Sequence, residues 1–335
     1  MLNLLKSLCL LDGTSGDEST VREFIINQIK GCCEYKVDNL GNIICFKKGK
    51  KQTDKRLMLD AHMDEVGLII TAITSDGFLK FDTVGGMDAS VLSFKTVKIG
   101  EITGVISSKP VHLLSADERK KPQNTSALYI DIGATNKEEA LALVSLGDTA
   151  VIQSDFVKMG ENVKAKALDD RIGCAVLITL LKEDAEYDFW AVFSTQEEIG
   201  TRGARVATFA INPDFALILE ATTAADIAGI SDDKSVCNLG NGPVVSFMDR
   251  ATAYDRDLYN AALNSGLKVQ PKRAVAGGNN AGAVHLSREG VRTLAISLPC
   301  RYIHSPSCVA NINDMEAMLS LTKYMLNGIL SGDIK

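Results

Sequence analysis

Apolar positions along the chain change rhythm twice. Leu4, Leu8 and Leu11 recur at helical spacing, as do Val21, Phe24, Ile25 and Ile29, which predicts two amphipathic helices, the second entered from Gly13-Thr14-Ser15-Gly16. Residues 35–37 and 43–46 flank the turn formers Asp38-Asn39-Leu40-Gly41-Asn42 and read as two strands joined by a turn. Leu57-Met58-Leu59 then makes a short apolar strand that runs into His62. From about 67 to 157 the segments 66–74, 78–81, 97–99, 104–106, 127–132 and 149–152 alternate with Gly- and Asp-bearing turns, with one helical stretch near 137–146. Such β-rich texture suits a small barrel or sandwich inserted into another domain. After 160, buried-strand runs at 189–194, 215–219 and 293–298 alternate with helical stretches at 172–181, 202–209, 254–265, 281–288 and 314–330. The expected fold class is therefore α/β: a mixed sheet between helical layers, with the β-rich insertion.

Composition narrows the options. At 335 residues the chain is about twice a typical domain, and 46% hydrophobic against 23% charged residues supports a packed core and excludes a disordered or fibrous protein. Thirty-six Lys+Arg against 42 Asp+Glu leave a net charge of -6, and the longest basic run, Lys47-Lys48-Gly49-Lys50-Lys51, lies between apolar segments and reads as a solvated hairpin tip rather than a nucleic-acid stripe. No apolar run approaches the roughly 18 residues of a membrane span. The opening leucine-rich stretch is broken by Lys6 and lacks a following small-residue cleavage site, so a helix of a cytoplasmic protein is expected. Eight cysteines without a C-x-x-C pair, most of them inside apolar runs, suggest buried thiols.

Several apolar strands run directly into acids or histidine. Leu57-Met58-Leu59 leads to Asp60-Ala61-His62-Met63-Asp64, residues 189–193 lead to Gln196-Glu197-Glu198, and residues 215–219 lead to Glu220. Open α/β sheets bind ligands beyond the carboxyl ends of their strands, and carboxylates gathered at one edge call for cations. Each piece also has an ordinary reading: Asp169-Asp170 as a helix cap, Glu197-Glu198 as a solvated surface pair, and His112 and His285 as structural histidines. Cys300, His304 and Cys308 are four apart, but Pro299 and Pro306 argue against the helix a thiolate zinc site would need. Together the acids and imidazoles converge on a two-metal hydrolase, in which oxygen and nitrogen ligands suit Zn²⁺, Co²⁺ or Mn²⁺ and a free Glu shuttles protons.

Four motifs carry a specific resemblance: Ala61-His62-Met63-Asp64-Glu65-Val66-Gly67, Ala167-Leu168-Asp169-Asp170-Arg171, Gln196-Glu197-Glu198-Ile199-Gly200-Thr201-Arg202-Gly203-Ala204 and Arg301-Tyr302-Ile303-His304-Ser305-Pro306. In this order the chain resembles the di-metal aminopeptidases called TET or glutamyl aminopeptidases, some of which carry the label cellulase M. The resemblance implies a catalytic domain of residues 1–66 plus 158–335 and an inserted dimerisation domain of residues 67–157. It implies His62 and Glu220 on one ion, His304 and Glu198 on the other, and Asp169 between them, often through a cis bond to Asp170. Asp64 would orient the His62 imidazole, and Glu197 would act as general base on a water shared by the two metals. Two divalent ions per subunit, zinc or cobalt, would be the cofactors, peptides the substrates, and dimers assembling into a dodecamer the quaternary form.

Two departures from the family pattern stand out. Glu220 occupies a position where aspartate is common, and Asn279-Asn280 stand where the family usually carries Thr-Asp, with Asn280 expected to cap the following helix. A related deacylase of N-acyl amino acids or sugars, a metal-poor scaffold that has lost catalysis, and a solitary binding module over residues 67–157 are the competing readings. The cellulase label fits poorly, because glycoside hydrolysis normally uses two metal-free carboxylates.

Overall fold

Alternating apolar strands and amphipathic helices build one broad sheet with a barrel inserted after its third strand. The structure, a computed structural model, describes residues 1–116, 124–231 and 233–335. The chain opens with α1 (Leu2–Cys9), α2 (Ser19–Ile29), β1 (Glu34–Val37), β2 (Ile43–Lys47) and β3 (Leu57–His62). It then enters β4 (Gly67–Ile73), β5 (Leu79–Val84), β6 (Thr96–Ile99), β7 (Ile102–Ser107), β8 (Tyr129–Asp131), α3 (Lys137–Leu141) and β9 (Thr149–Ile152). The central stretch is β10 (Val157–Met159), β11 (Asn162–Ala165), α4 (Leu168–Lys182), β12 (Phe189–Ser194), α5 (Arg202–Ile211) and β13 (Phe215–Thr223). The last third holds β14 (Val244–Val245), α6 (Arg256–Leu263), β15 (Gln270–Pro271), α7 (Ala281–Val284), β16 (Arg292–Arg301), β17 (Cys308–Asn311) and α8 (Ile312–Ser331).

Among the described residues the main sheet has eleven strands, nine of them in the order β1-β2-β12-β3-β13-β16-β17-β11-β10, with β14 and β15 beside β16. The centre is parallel, since β3 pairs in parallel with both β12 and β13, and β13 with β16. Helices cover both faces, so central strands read as continuous apolar runs; all six residues of β3 are buried. One face packs on α1, α2, α4, α6 and α8, and the other on α5 and α7. Strands β4 to β9 form a closed six-stranded barrel in the order β4-β5-β8-β7-β6-β9 around its own core of Leu68, Ile70, Leu79, Ile106 and Ile130. The α/β class with an inserted barrel is thus as expected.

Four local readings need correction. In α1 the buried stripe is Leu5, Leu8 and Cys9 rather than Leu4, Leu8 and Leu11, because the helix starts and stops earlier than the leucines suggest. The basic run is solvated but is no hairpin tip. It carries the chain from β2 past β12 toward β3, and Lys51 bridges Tyr187 there. Glu220 does not end its strand; β13 continues to Thr223 because β16 pairs with it as far as Cys300. Asn280 does not cap α7. Ala281 N–H bonds the Asn279 side chain at 2.8 Å, and Asn280 turns inward, fully buried, donating to Asp60 at 2.7 Å and Ser194 at 3.0 Å.

Candidate metal centre and active site

Because β3, β12 and β13 run in parallel, the residues at and beyond their carboxyl ends meet on one edge of the sheet. His62 closes β3, Glu197 and Glu198 lie in the turn after β12, and Glu220 projects from the far half of β13. Asp169 enters at the start of α4, where its peptide bond to Asp170 is cis. His304 lies in the turn between β16 and β17.

The acids and imidazoles form two groups that share one aspartate: His62, Asp169 and Glu220, and Asp169, Glu198 and His304. His62 Nε2 is 3.4 Å from Asp169 Oδ1 and 3.8 Å from Glu220 Oε2. His304 Nε2 is 3.2 Å from Asp169 Oδ2 and 3.3 Å from Glu198 Oε2. Within each group the candidate ligand atoms all lie within 4.8 Å of one another. Among the described residues, Asp169 Oδ1, Glu198 Oε1 and Glu220 Oε1 are buried without a hydrogen-bond partner. Buried carboxylate oxygens left in that state are costly. Two imidazole nitrogens plus these oxygens are a donor set suited to divalent zinc, cobalt or manganese, so the residues present fit a metal pair.

Both imidazoles are aimed from behind. His62 Nδ1 lies 3.1 Å from the Asp64 carbonyl and 3.3 Å from the Asp64 carboxylate. His304 Nδ1 lies 2.8 Å from the carbonyl of Gly86, which comes from the loop after barrel strand β5. Gly85 beside it has φ +85°, and a Cβ there would meet Val66 at 2.9 Å and Glu198 at 3.2 Å, so the close approach of this loop requires glycine. Asp64 is fully buried and also accepts Ser15 Oγ at 2.6 Å and the backbone N–H groups of Glu197 and Glu198 at 3.0 and 3.1 Å. One carboxylate therefore fixes an imidazole and the turn that carries two of the candidate acids.

The protonation pattern follows from this crowding. Burial opposes charge on both imidazoles, yet contact with Asp169 and the neighbouring acids outweighs it, raising His62 well above its usual value and His304 to about 9. Burial pushes Glu197 up to about 7 and Glu198 up to about 8. For Asp64 burial acts upward as well, but the His62 contact and donated hydrogen bonds win and hold it low. Bound cations would take the place of these protons.

Glu197 belongs to neither group but lines the cavity of about 1190 Å³ that they face. His112 is exposed, His285 bonds the Ala281 carbonyl, and Cys300 and Cys308 are buried strand residues, so none of these joins the centre. Asp170 is the helix cap of the pair, accepting Gly173 N–H at 3.0 Å, whereas Asp169 is free to face the imidazoles. Arg301 pairs with Asp226 at 2.7 and 2.9 Å and ties down the strand end that leads to His304.

Residues 41–321 match the M42 glutamyl aminopeptidase family. The chain belongs to that family. It is 31% identical to the lysyl aminopeptidase of Pyrococcus furiosus, covering 96% of each chain, and 31% identical to the glutamyl aminopeptidase of Lactococcus lactis, covering 94% of this chain and 92% of the relative. Its fold superposes on the Pyrococcus horikoshii TET1 peptidase with a TM-score of 0.84 at 33% identity, covering 97% of this chain and 98% of the other. Membership makes this M42 chain an aminopeptidase, and the family is metal-dependent.

Sequence reasoning missed the supporting residues of this M42 site. Ser15 and Gly86 were not singled out as site residues, and Asn42, read only as a turn residue, accepts the Thr195 N–H at 2.9 Å and braces the turn that precedes Glu197. Glu18 accepts the Gln196 N–H at 3.2 Å. The Gly85-Gly86 pair was the one available signal for the barrel's contribution.

Proposed function

We propose that this chain removes the N-terminal residue of peptides at a pair of divalent cations, zinc or cobalt, held by His62, Asp169, Glu198, Glu220 and His304. The observation that carries the reading is the sharing of Asp169 by two ligand groups while Glu197 stays outside both. When bound, the two cations polarise the scissile carbonyl and acidify water. Glu197, with its carboxyl raised to about 7 by burial, takes the proton from the attacking water and returns it to the leaving amine. Asp64 holds the His62 ring and, through two N–H groups, the turn bearing Glu197 and Glu198. The Gly86 carbonyl does the same for His304.

Residues 1–66 plus 158–335 serve as the catalytic domain and residues 67–157 as a dimerisation domain. Phe94, 71% exposed, and Leu146, 62% exposed, give the barrel apolar surface to cover. The TET1 peptidase can assemble into a tetrahedron or a large octahedral shell, and on that likeness we extend dimers closing into a dodecamer to this chain. No helix of the described residues is long and apolar enough to cross a membrane, and we place the enzyme in the cytoplasm. The relatives are named for residues of opposite charge, so the preferred N-terminal residue does not follow from membership.

The test is equilibrium dialysis with Zn²⁺ or Co²⁺ followed by hydrolysis of aminoacyl anilides with free and acetylated amino groups. Two ions per chain and turnover of the free set alone support the reading. Preference for the acetylated set, or no more than one ion bound together with full activity, overturns it.

A further inference from the structure

All eight cysteines are free thiols, and six of them are buried. Burial pushes the thiols of Cys9, Cys237 and Cys308 up to about 12 and those of Cys174 and Cys300 well above the ordinary cysteine value. None of these five offers a thiolate, the reactive form, near neutral pH. Cys33 is different. It is half-buried, lies in the bend between α2 and β1, and packs against the core cluster that contains Cys45.

The strand register brings these two cysteines together. β1 is the edge strand of the main sheet and pairs antiparallel with β2, Glu34 opposite Phe46 and Tyr35 opposite Cys45. Continued by one residue, that register sets Cys33 opposite Lys47. Alternation then puts Cys33, Tyr35, Cys45 and Lys47 on one face, with Cys33 and Cys45 as diagonal neighbours. The two thiols are in side-chain contact. Cys33 precedes the first ladder pair, so its backbone is free to make the last approach that a sulfur–sulfur bond requires. The Lys47 ammonium is held alongside by the carbonyls of Cys32 at 2.9 Å and Leu181 at 2.8 Å. The facing Cys45 thiol, and after it Lys47, hold Cys33 below the ordinary cysteine value against the opposing effect of burial. The same contact, with burial, raises Cys45. Cys32 is turned away, its Sγ 3.9 Å from the Lys30 carbonyl.

We propose that Cys33 and Cys45 are a peroxide-reactive pair that closes reversibly into a disulfide, a modification site separate from the metal centre. Cys33 thiolate attacks one oxygen of hydrogen peroxide; the S–O bond forms, the O–O bond breaks, and hydroxide leaves to take up a proton as water. The Cys45 sulfur then attacks the Cys33 sulfenic acid. The S–S bond forms, the S–O bond breaks, and the departing hydroxide leaves with the Cys45 proton as a second water. Two thiols and one peroxide thus become a disulfide and two waters, and exchange with an external thiol reductant reverses the change. The bridge fastens the end of α2 and the edge strand β1 to β2, the strand that pairs with β12.

The test treats the metal-loaded enzyme with hydrogen peroxide in small molar excess, blocks the remaining thiols with N-ethylmaleimide, and maps the unreduced digest by tandem mass spectrometry. A peptide joining Cys33 to Cys45, lighter by two hydrogens than the reduced pair and released by dithiothreitol, is expected. Cys33→Ser should slow the first loss of free thiol by about tenfold, because the thiolate is the nucleophile. Cys45→Ala should leave Cys33 as a sulfenic acid that a dimedone probe captures. Cys32→Ser should form the bridge as the wild type does. Mapping the wild type needs no variant, so a substitution that fails to fold leaves the test intact. The proposal is overturned if Cys33 and Cys45 stay unlinked while other cysteines oxidise, or if Cys33 accumulates as sulfenic acid in the wild type. A bridge that uses Cys32, or unchanged oxidation in Cys33→Ser, overturns it as well.

Discussion

Asp64 is the residue whose removal should separate support of the site from its chemistry. Its carboxylate receives Ser15 Oγ, the N–H groups of Glu197 and Glu198, and the His62 imidazole, all within 3.3 Å. In Asp64→Ala these donors face a space too enclosed to supply full hydration, because Asp64 has no exposed surface. Each orphaned donor costs about 1–3 kcal/mol, and loss of one partner of a buried ion pair costs about 3–5 kcal/mol. Since the groups relax together, about 3–5 kcal/mol is expected for the whole substitution. Asp64→Asn keeps the shape and one acceptor but turns a donor toward a donor, so it should lose about half as much. Urea unfolding of the metal-free protein measures this. A competition titration against a chromophoric chelator measures the second effect, a fall of about ten- to a hundredfold in affinity for the His62-side ion. Unchanged metal affinity in both variants would refute the claim that Asp64 orients the imidazole. Unchanged stability in Asp64→Ala would refute the hydrogen-bond reasoning itself.

Glu197→Gln should lower kcat by about 10²–10⁴-fold with two ions still bound, because Glu197 belongs to neither ligand group; activity within about threefold of wild type would remove it as the base. Asp255 provides a pH prediction away from the metals. Burial opposes its charge, but Arg292 at 2.6 and 3.0 Å holds its carboxyl below the usual aspartate value. A depressed folded-state pKa contributes stability above the unfolded value of about 3.9 and loses it as pH falls through the folded one. Asp255→Asn keeps the α6 cap, so its deficit in urea unfolding should be constant near neutrality and shrink below about pH 4; an equal deficit in acid would contradict the linkage. Phe193→Ala empties a fully buried position beneath the site and should cost about 3–5 kcal/mol by urea unfolding, a loss under about 1 kcal/mol being incompatible with the packing described.

The features legible in the sequence were those with a period or a charge at a strand end. Central strands buried at nearly every position left uninterrupted apolar runs, and the acids and histidines at or just beyond their ends were conspicuous because nothing in a core requires them. What stayed hidden depends on backbone groups and on distant segments. Gly86 acts through a carbonyl that every residue type possesses, and Ser15 and Asn42 reach the site from turns 49 and 153 residues distant in sequence from Asp64 and Thr195, the residues they brace. The misplacement of the α7 cap is instructive. Two adjacent asparagines are equivalent by propensity, and the acceptors beneath the helix, Asp60 and Ser194, hold Asn280 inward while Asn279 caps.

The carbonyl behind His304 belongs to the barrel, whereas the ring it steers belongs to the sheet. Cleavage competence is therefore not a property the sheet can acquire unaided during folding: a nascent chain whose barrel has yet to dock would have one imidazole free to swing. Any displacement of the barrel relative to the sheet would reach the His304 ring through the Gly86 carbonyl.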